Sequence, residues 1–259
     1  AIRRQRQMCI RDSVITTSQA GLWTDSRYFL QAAQQLKGTE IKLYKEMLPE
    51  TPSISAFLST QLTPGDAVGI DGKMFSAEEV ERMQAELQKC QIKVKSISDP
   101  LDKLWTDRPP MPEAPAFIYE TQYAGKSSIE KIAIIRKELK KCNAKALFLS
   151  ALDEIAWTLN LRGNDVHCNP VLVSYLLIEE NETHYFIQPQ KITAEVATYM
   201  KETGVNLHTY EEAEAYLSRI SVESLLLNPA KTNYAMYSAV NPDCRIIHGA
   251  SPVSYTHLR

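Results

Sequence analysis

Short apolar runs typical of strands alternate with amphipathic runs typical of helices along most of the chain, and this alternation limits the possible folds more than any other feature. The run IKVKSI at 92–97 alternates with a period of two, which predicts a strand. The run at 128–141 repeats its apolar residues at helical spacing. Chains of this kind pack helices against the faces of a sheet. The sequence therefore predicts an α/β fold with mixed sheets flanked by helices.

A proline-rich break divides the alternating pattern into two series. The stretch TDRPPMPEAPAF carries four prolines from Pro109 to Pro115, which neither a helix nor a central strand accommodates. We predict two consecutive α/β domains, at 14–116 and at 117–253. The second series is complete. The first begins on a strand preceded only by a charged, aperiodic segment, so we expect this domain to be truncated at its N-terminus.

Several local signals predict where helices begin. Ser127 stands three residues before Glu130, which is the spacing of a capping box, and Ser76 and Glu79 repeat it. Thr51 and Pro52 predict an N-cap and a first helical residue for the run that follows. In the helix at 128–141, one buried face is predicted from the apolar residues Ile129, Ile132, Ala133, Ile135 and Leu139.

Charge and cysteine content exclude several classes of protein. The 29 Lys and Arg against 31 Asp and Glu give a net charge of −2, so we expect neither nucleic acid nor a membrane surface as a partner. No apolar run approaches the roughly 20 residues that span a bilayer. The five cysteines are scattered and contain no C-x-x-C pair, which indicates free thiols in a reducing, cytoplasmic setting.

The stretch NLRGNDVHCNP at 160–170 places a histidine beside a cysteine and raises the question of a reactive pair. A cysteine nucleophile needs a base within hydrogen-bond reach, but adjacent residues on an extended segment point to opposite sides. His167 and Cys168 are therefore poorly placed to activate each other. The composition instead favours a loop, because Gly163, Asn164 and Asp165 are all residues that stabilise turns.

Metal and phosphate sites also lack sequence signals. The five histidines have no partner at i+4 on a helix, and H-E-x-x-H does not occur. No glycine-rich loop connects a strand to a helix. We predict no catalytic residue and no metal ligand in this chain.

The stretch LWTDSRYFLQA is more informative, because charged residues crowd the point where a strand leads into a helix. Arg27 has two possible roles there. It either braces Asp25 locally, or it reaches outward and binds a carboxylate or carbonyl group. Spacing alone favours the local brace and leaves the outward role open.

Long segments of the sequence resemble one enzyme family. GLWTDSRYFLQAAQQL, ALDEIAWTLNLRGNDVHCNPVLVSYLLI and NPAKTNYAMYSAV are similar to the N-terminal part of cytosolic Xaa-Pro aminopeptidases of the long, three-domain type, in the creatinase and prolidase superfamily. The resemblance runs in register from about 14 to 253. It implies two tandem creatinase N-terminal-like domains, followed in the family by a pita-bread catalytic domain.

The resemblance also implies an activity and its cofactor. Enzymes of this family remove the first residue of peptides that have proline in second position, with two divalent ions, usually manganese, held by the catalytic domain. The resemblance implies a substrate-binding role for Arg27, a cytoplasmic location and a homodimer. No residue of this chain matches a metal ligand, so the resemblance implies that the two manganese ions belong to a catalytic domain missing from this chain.

We expect non-native sequence at both ends. RRQRQMCIRDS and SYTHLR depart from the family pattern, which predicts tails at 1–13 and 254–259 and an incomplete gene fragment. The leading hypothesis is the non-catalytic front of an Xaa-Pro aminopeptidase, without peptidase activity of its own. The alternative is a stand-alone creatinase-fold module that binds peptides or forms dimers. A third hypothesis, the least supported by the residues, is a hydrolase that uses Cys168.

Overall fold

The computed structural model describes residues 11–253, so the segments 1–10 and 254–259, with Cys9 and His257, lie outside the described residues. The chain divides into two compact units. Within the described residues, unit I comprises 11–70 and 79–98, and unit II comprises 71–78 and 99–253.

The first part of the chain alternates strands and helices as predicted. Its elements are β1 (Arg11–Ile15), β2 (Ala20–Thr24), a 3-10 turn (Ser26–Tyr28), α1 (Phe29–Gln35), β3 (Ile41–Lys45), α2 (Ile54–Gln61), β4 (Ala67–Asp71), α3 (Ala77–Gln88) and β5 (Lys93–Ile97). Strand β2 pairs antiparallel with β1 and parallel with β3, which gives a mixed sheet. Strands β4 and β5 form a second, two-stranded sheet.

Three aromatic rings form the centre of unit I. Trp23 stacks on Tyr44 with ring centroids 4.0 Å apart, and Phe57 of α2 meets Trp23 edge-on at 5.1 Å. A Cβ atom on Gly21 would lie 2.7 Å from both the Trp23 and the Tyr44 ring, so this strand position requires glycine. The aromatic stack therefore fixes the side of β2 that faces the core.

The predicted start of α2 is wrong by two residues. Ser53, and not Thr51, is the N-cap, because its extended backbone places Oγ 3.2 Å from the amide of Ala56. Pro52 precedes the cap instead of occupying the first helical position. Its carbonyl accepts a hydrogen bond of 2.9 Å from the Trp23 indole, a long-range contact that local helix signals do not contain.

Unit II is built on a six-stranded mixed sheet. Its elements are β6 (Phe117–Ile118), α4 (Thr121–Ala124), α5 (Ser128–Lys141), β7 (Ala146–Leu149), α6 (Leu152–Leu159), β8 (Leu161–Arg162), β9 (Ser174–Glu179), β10 (Thr183–Ile187), a 3-10 turn (Pro189–Lys191), α7 (Ala194–Glu202), β11 (Asn206–His208), α8 (Glu212–Leu217), β12 (Ser224–Leu227), α9 (Tyr234–Ala239) and β13 (Arg245–His248). The strand order is β11-β10-β9-β7-β12-β13. Strand β9 is antiparallel to both neighbours, and the outer pairs are parallel.

Both faces of this sheet are buried. Along β9, Leu176 and Ile178 pack in a core with residues of α5, α6 and α7, whereas Tyr175 and Leu177 pack with residues of α8 and α9. This alternation follows from the two-residue period of a strand. The predicted α/β fold with mixed sheets flanked by helices is confirmed.

Helix α5 begins as predicted, and its predicted buried face is right in part, because Ala133 is exposed but three residues are buried: Ile132, Ile135 and Leu139. The Ser127 and Glu130 side chains each accept a hydrogen bond from the other residue's amide, which completes the capping box. Ile129 is nevertheless 55% exposed, while the polar residues Ser128 and Lys131 are buried. The buried face is rotated toward these two residues because both bind the end of α6.

The compact units differ from the predicted boundary between 116 and 117 in two segments. Residues 71–78 and 99–116 group with unit II. In the first of these segments, Ala77 donates to the carbonyl of Thr232, and Phe75 accepts from the amide of Tyr234, both at 2.9 Å. Residues 109–115 contain no helix or strand, in agreement with their four prolines.

Candidate functional site

The junction after β2 places a charged pair at the start of α1. Asp25 caps the 3-10 turn by accepting the amide of Arg27 at 2.9 Å. Its carboxylate also accepts from the guanidinium: Nη2 lies 2.6 Å from Oδ2, and Nε lies 3.1 Å from Oδ1. The local brace, one of the two alternatives left open by the sequence, is therefore present.

This brace leaves much of the guanidinium available. An arginine has five N–H donors, and Asp25 lies along the edge that carries Nε and Nη2. The Nη1 edge makes no hydrogen bond with the described residues, and the Arg27 side chain is 62% exposed. Hydrogen bonding to Arg27 lowers the pKa of Asp25, and the same bonds raise the pKa of Arg27. The pair therefore presents a fixed cation with open donors at the surface of unit I.

The loop with His167 and Cys168 has no catalytic geometry. The two residues form the tip of a turn closed by a hydrogen bond of 3.0 Å from the amide of Asn169 to the carbonyl of Val166. Both side chains are exposed, and Cys168 adopts a positive φ of 59°. Neither side chain makes a hydrogen bond with the described residues. This geometry supports the loop interpretation.

Asp165 anchors the same loop from inside. One carboxylate oxygen accepts the amide of Val173 at 2.6 Å and the ammonium of Lys191 at 2.5 Å. Both charged side chains are fully buried. Removing either partner would leave an uncompensated buried charge, which typically costs 3–5 kcal/mol. The acid in this motif therefore holds the loop and the turn before α7 together.

The segment IAWTLNLRG, which carries much of the family resemblance, contains the C-terminal end of helix α6. The last carbonyls of a helix have no partner within it. Here Asn160 ends α6 in a left-handed conformation. Side chains from other elements then donate to the four terminal carbonyls: Arg162 to Ala156, Lys131 to Trp157, Ser128 to Thr158, and Tyr199 to Leu159.

Two of these four donors are cations, which the negative end of a helix dipole favours. Lys131 is buried and also donates to Oδ1 of Asn160 at 2.5 Å. Lys131, Lys191 and Tyr199 are not among the functional residues predicted from the sequence. A lysine on the apolar side of a capped helix was the available signal for Lys131, but its partners are about 30 residues away in sequence.

The part of the chain that the structure describes offers no group of three or more His, Cys, Asp or Glu side chains arranged to hold a metal ion. The two metal ions that the family resemblance implies therefore do not fit these residues. No helix within 11–253 combines the length and apolar character needed to cross a membrane.

The sequence matches a family of known domains. The Creatinase/Prolidase N-terminal domain family matches the chain twice, at residues 13–104 and at residues 107–258. Aminopeptidase P2 of Arabidopsis thaliana is 34% identical over 237 residues, which cover 90% of this chain and 33% of that protein. Xaa-Pro aminopeptidase ApepP of Drosophila melanogaster is 34% identical over 246 residues, which cover 93% and 40%.

A solved structure matches over nearly the whole chain. The X-prolyl aminopeptidase of Caenorhabditis elegans, described as a cytosolic enzyme with a di-nuclear active site, superposes with a TM-score of 0.85 at 28% identity. The match covers 93% of this chain and 41% of that one. This chain thus spans from 33% to 41% of the length of these relatives. The family matches and the two mixed-sheet units together show that the chain belongs to the creatinase/prolidase N-terminal domain family, of which it carries two domains.

Proposed function

We propose that this chain is the non-catalytic N-terminal region of a metal-dependent Xaa-Pro aminopeptidase, where it frames the active site and contributes to substrate binding. The relatives named above are aminopeptidases, and the match to them runs through both domains. In such an enzyme the substrate is a peptide with proline in second position. The open guanidinium edge of Arg27 is the single observation that carries the substrate-binding part of the proposal.

The bonding of Arg27 fits a role in binding a peptide. Two roles that the sequence presents as alternatives are compatible, because Asp25 occupies one edge of the planar fork and leaves the other edge free. A peptide carbonyl or carboxylate could accept from the free edge without breaking the brace. Asp25 would then act as a positioning residue that fixes the direction of the fork.

The remaining parts of the proposal concern residues beyond this chain. The two manganese ions would be held by a catalytic pita-bread domain, since the described residues provide no ligand set for them. When bound, such ions activate water and polarise the scissile carbonyl. We further propose a homodimer and a cytoplasmic location for the longer protein.

The test is Arg27→Ala in the longer protein, assayed with manganese and an Arg-Pro-Pro peptide. A hydrogen bond to a charged group contributes about 1.5–3 kcal/mol, so we expect kcat/KM to fall by about tenfold to a hundredfold. We expect a smaller loss for Asp25→Asn, which weakens the brace but keeps the arginine. This chain by itself, with manganese, should release no amino acid.

Arg82→Ala is the matched control, because Arg82 is an exposed arginine on α3. It should leave kcat/KM unchanged. Equal kinetics for wild type and Arg27→Ala would remove the substrate-binding role. Metal-dependent release of the first residue by this chain alone would overturn the non-catalytic assignment. A natural stop codon directly after 253 would favour the stand-alone module instead.

A further inference from the structure

Two histidines meet at the edge strand of the six-stranded sheet. Strand β11 forms this edge and pairs in parallel with β10, with His208 opposite Phe186. His184 lies two residues before Phe186 and therefore faces the same side of the sheet. His184 is 4% exposed, and His208 is partly buried. The fold therefore brings two titratable rings together where β11 is attached.

The contacts of His184 use both of its ring nitrogens. Nδ1 lies 3.0 Å from Nε2 of His208. On the other side of the ring, Nε2 lies 3.0 Å from the Tyr216 hydroxyl and 3.2 Å from a carboxylate oxygen of Glu182. Tyr216 belongs to α8, so the pair connects β10, β11 and this helix.

These contacts determine where the protons can be. A carboxylate accepts hydrogen bonds, so Glu182 favours a proton on Nε2 of His184. Nδ1 of His184 is then free to accept, and Nε2 of His208 donates to it. One further proton can bind Nδ1 of His208, which makes no hydrogen bond with the described residues, and the contact between the rings survives.

A second further proton has a different effect. It must bind Nδ1 of His184, where it would place two N–H donors against each other at 3.0 Å. It would also place two positive charges on neighbouring rings. This side-chain contact between β10 and β11, which adds to their backbone pairing, would then have to open.

Charges around the pair act in both directions. Burial, and next the charge of His208, lowers the pKa of His184, while Glu182 acts to raise it. Hydrogen bonds from Thr209 lower the pKa of Glu212 on α8, and the charge of His208 lowers it further. Among the described residues, this region also contains the charged or titratable groups Glu179, Tyr216, Arg219 and Arg136. The cavity beside Glu182 is lined as well by Lys145, Glu180 and Glu223.

We propose that His184 and His208 form a proton-operated latch that holds strand β11 on the sheet. The latch is closed while both rings are neutral or only His208 is protonated. It opens when His184 binds a proton as well. The sign follows from burial: a histidine with a lowered pKa in the folded state stabilises the fold above its ordinary pKa of 6.5, and this contribution is lost as the pH falls below that value.

Amide hydrogen exchange on the whole chain, in the presence of EDTA, tests the latch. Protection factors are measured from about pH 7.5 to about pH 4.5, each corrected for the intrinsic exchange rate. We expect protection in β11 to fall by at least about tenfold across this range, relative to protection in β9, as the second proton binds. Retention of β11 protection after both rings are protonated would overturn the proposal.

His208→Gln is the informative variant. Glutamine keeps a side-chain N–H donor and can turn its amide to accept, but it takes up no proton. We expect the acid-dependent loss of β11 protection to disappear. The matched control is His248→Gln. His248 lies on β13, at the opposite edge of the same sheet, and its Nε2 is 3.0 Å from the Tyr237 hydroxyl. It should leave β11 unaffected, whereas an unchanged acid response in His208→Gln would contradict the latch.

A measurement on the wild-type chain keeps the proposal testable if the variant fails to fold. Nitrogen NMR of the imidazole rings reports which nitrogen of His184 carries the proton. We expect Nε2–H with an unprotonated Nδ1 at neutral pH. A proton on Nδ1 of His184 at that pH would exclude the mechanism.

Discussion

Lys131 carries a charge into a region of unit II that water does not reach. Its Nζ donates to the Trp157 carbonyl at 2.9 Å and lies 4.6 Å from the centre of the Trp157 ring. It forms no ion pair with a carboxylate among residues 11–253. Burial, followed by the charges of Arg162 and Lys126, lowers the pKa of Lys131 to about 8. This amine therefore titrates well below the ordinary lysine value of 10.5.

The lowered pKa predicts a pH dependence of stability. Between about pH 8 and pH 10.5 the unfolded chain binds more protons at this position than the folded chain, so stability rises with pH across this window. We predict that the unfolding free energy of wild type, relative to Lys131→Met, increases by about 2 kcal/mol from about pH 7.5 to about pH 10. Urea unfolding at matched pH values measures this difference.

Lys137→Met provides the comparison at the same scale, because Lys137 is an exposed lysine on the same helix. Its stability relative to wild type should stay constant over the same pH range. If the unfolding free energies of wild type and Lys131→Met change with pH in parallel, burial does not lower the pKa of Lys131.

At the scale of elements, α5 and α6 depend on each other through their ends. Helix α5 supplies two of the four side chains that satisfy the terminal carbonyls of α6, Ser128 and Lys131. Both residues lie in the first turn of α5, Ser128 within the capping box of Ser127 and Glu130 and Lys131 directly after it. Loosening the start of α5 therefore also loosens the end of α6.

Ser127→Ala tests this coupling. Loss of a serine N-cap costs about 1 kcal/mol in typical helices, and we expect a value toward the upper end of the 0.5–2 kcal/mol range because two helices are affected. The free energy of unfolding from urea titration gives the magnitude. The control is Ser218→Ala, an exposed serine that bonds the carbonyl of Ala215, for which we expect a change within about 0.5 kcal/mol. Equal effects for the two variants would argue against the coupling.

At the scale of the whole molecule, the two units differ in the size of their buried apolar clusters. Unit II has a core on both faces of its sheet. Unit I has smaller clusters, and large apolar side chains are exposed in both units: Ile15, Leu30 and Met47 in unit I, Leu104 and Tyr123 in unit II. A smaller core stabilises a domain less. We therefore expect unit II to be the better behaved when each is produced alone.

The residues before the first strand of unit II should contribute to its stability. Met111 packs against the cluster of Leu152, Ala156, Val171 and Val173, and Ala116 donates to the carbonyl of Lys191 at 2.9 Å. We predict that a polypeptide of residues 99–253 unfolds cooperatively and at a higher Tm than one of residues 117–253. Calorimetry measures both, and the comparison is residues 11–98, which contain unit I together with the segment 71–78. Identical Tm values for the two longer polypeptides would show that the proline-rich segment only connects the units.

The order of elements could be predicted from the sequence because it depends on local periodicity and capping. The capping box at Ser127 and the turn between β9 and β10 are interactions within four residues, and both are present. The predicted cap of α2 lies two residues before the actual cap, Ser53. Pro52 lies outside the helix, and its carbonyl accepts a hydrogen bond from the indole of Trp23. Strands β6 and β8, of two residues each, are too short to carry a periodic signal.

For the candidate site, the sequence alone identified Asp25 and Arg27 as neighbours at a junction between a strand and a helix. Only the tertiary structure decided which polar residues are buried: Lys131, Asp165 and His184 each meet a partner 24 or more residues away. The physical reason is that a buried polar group needs a hydrogen-bond partner, and distant segments supply these partners only after the chain has folded.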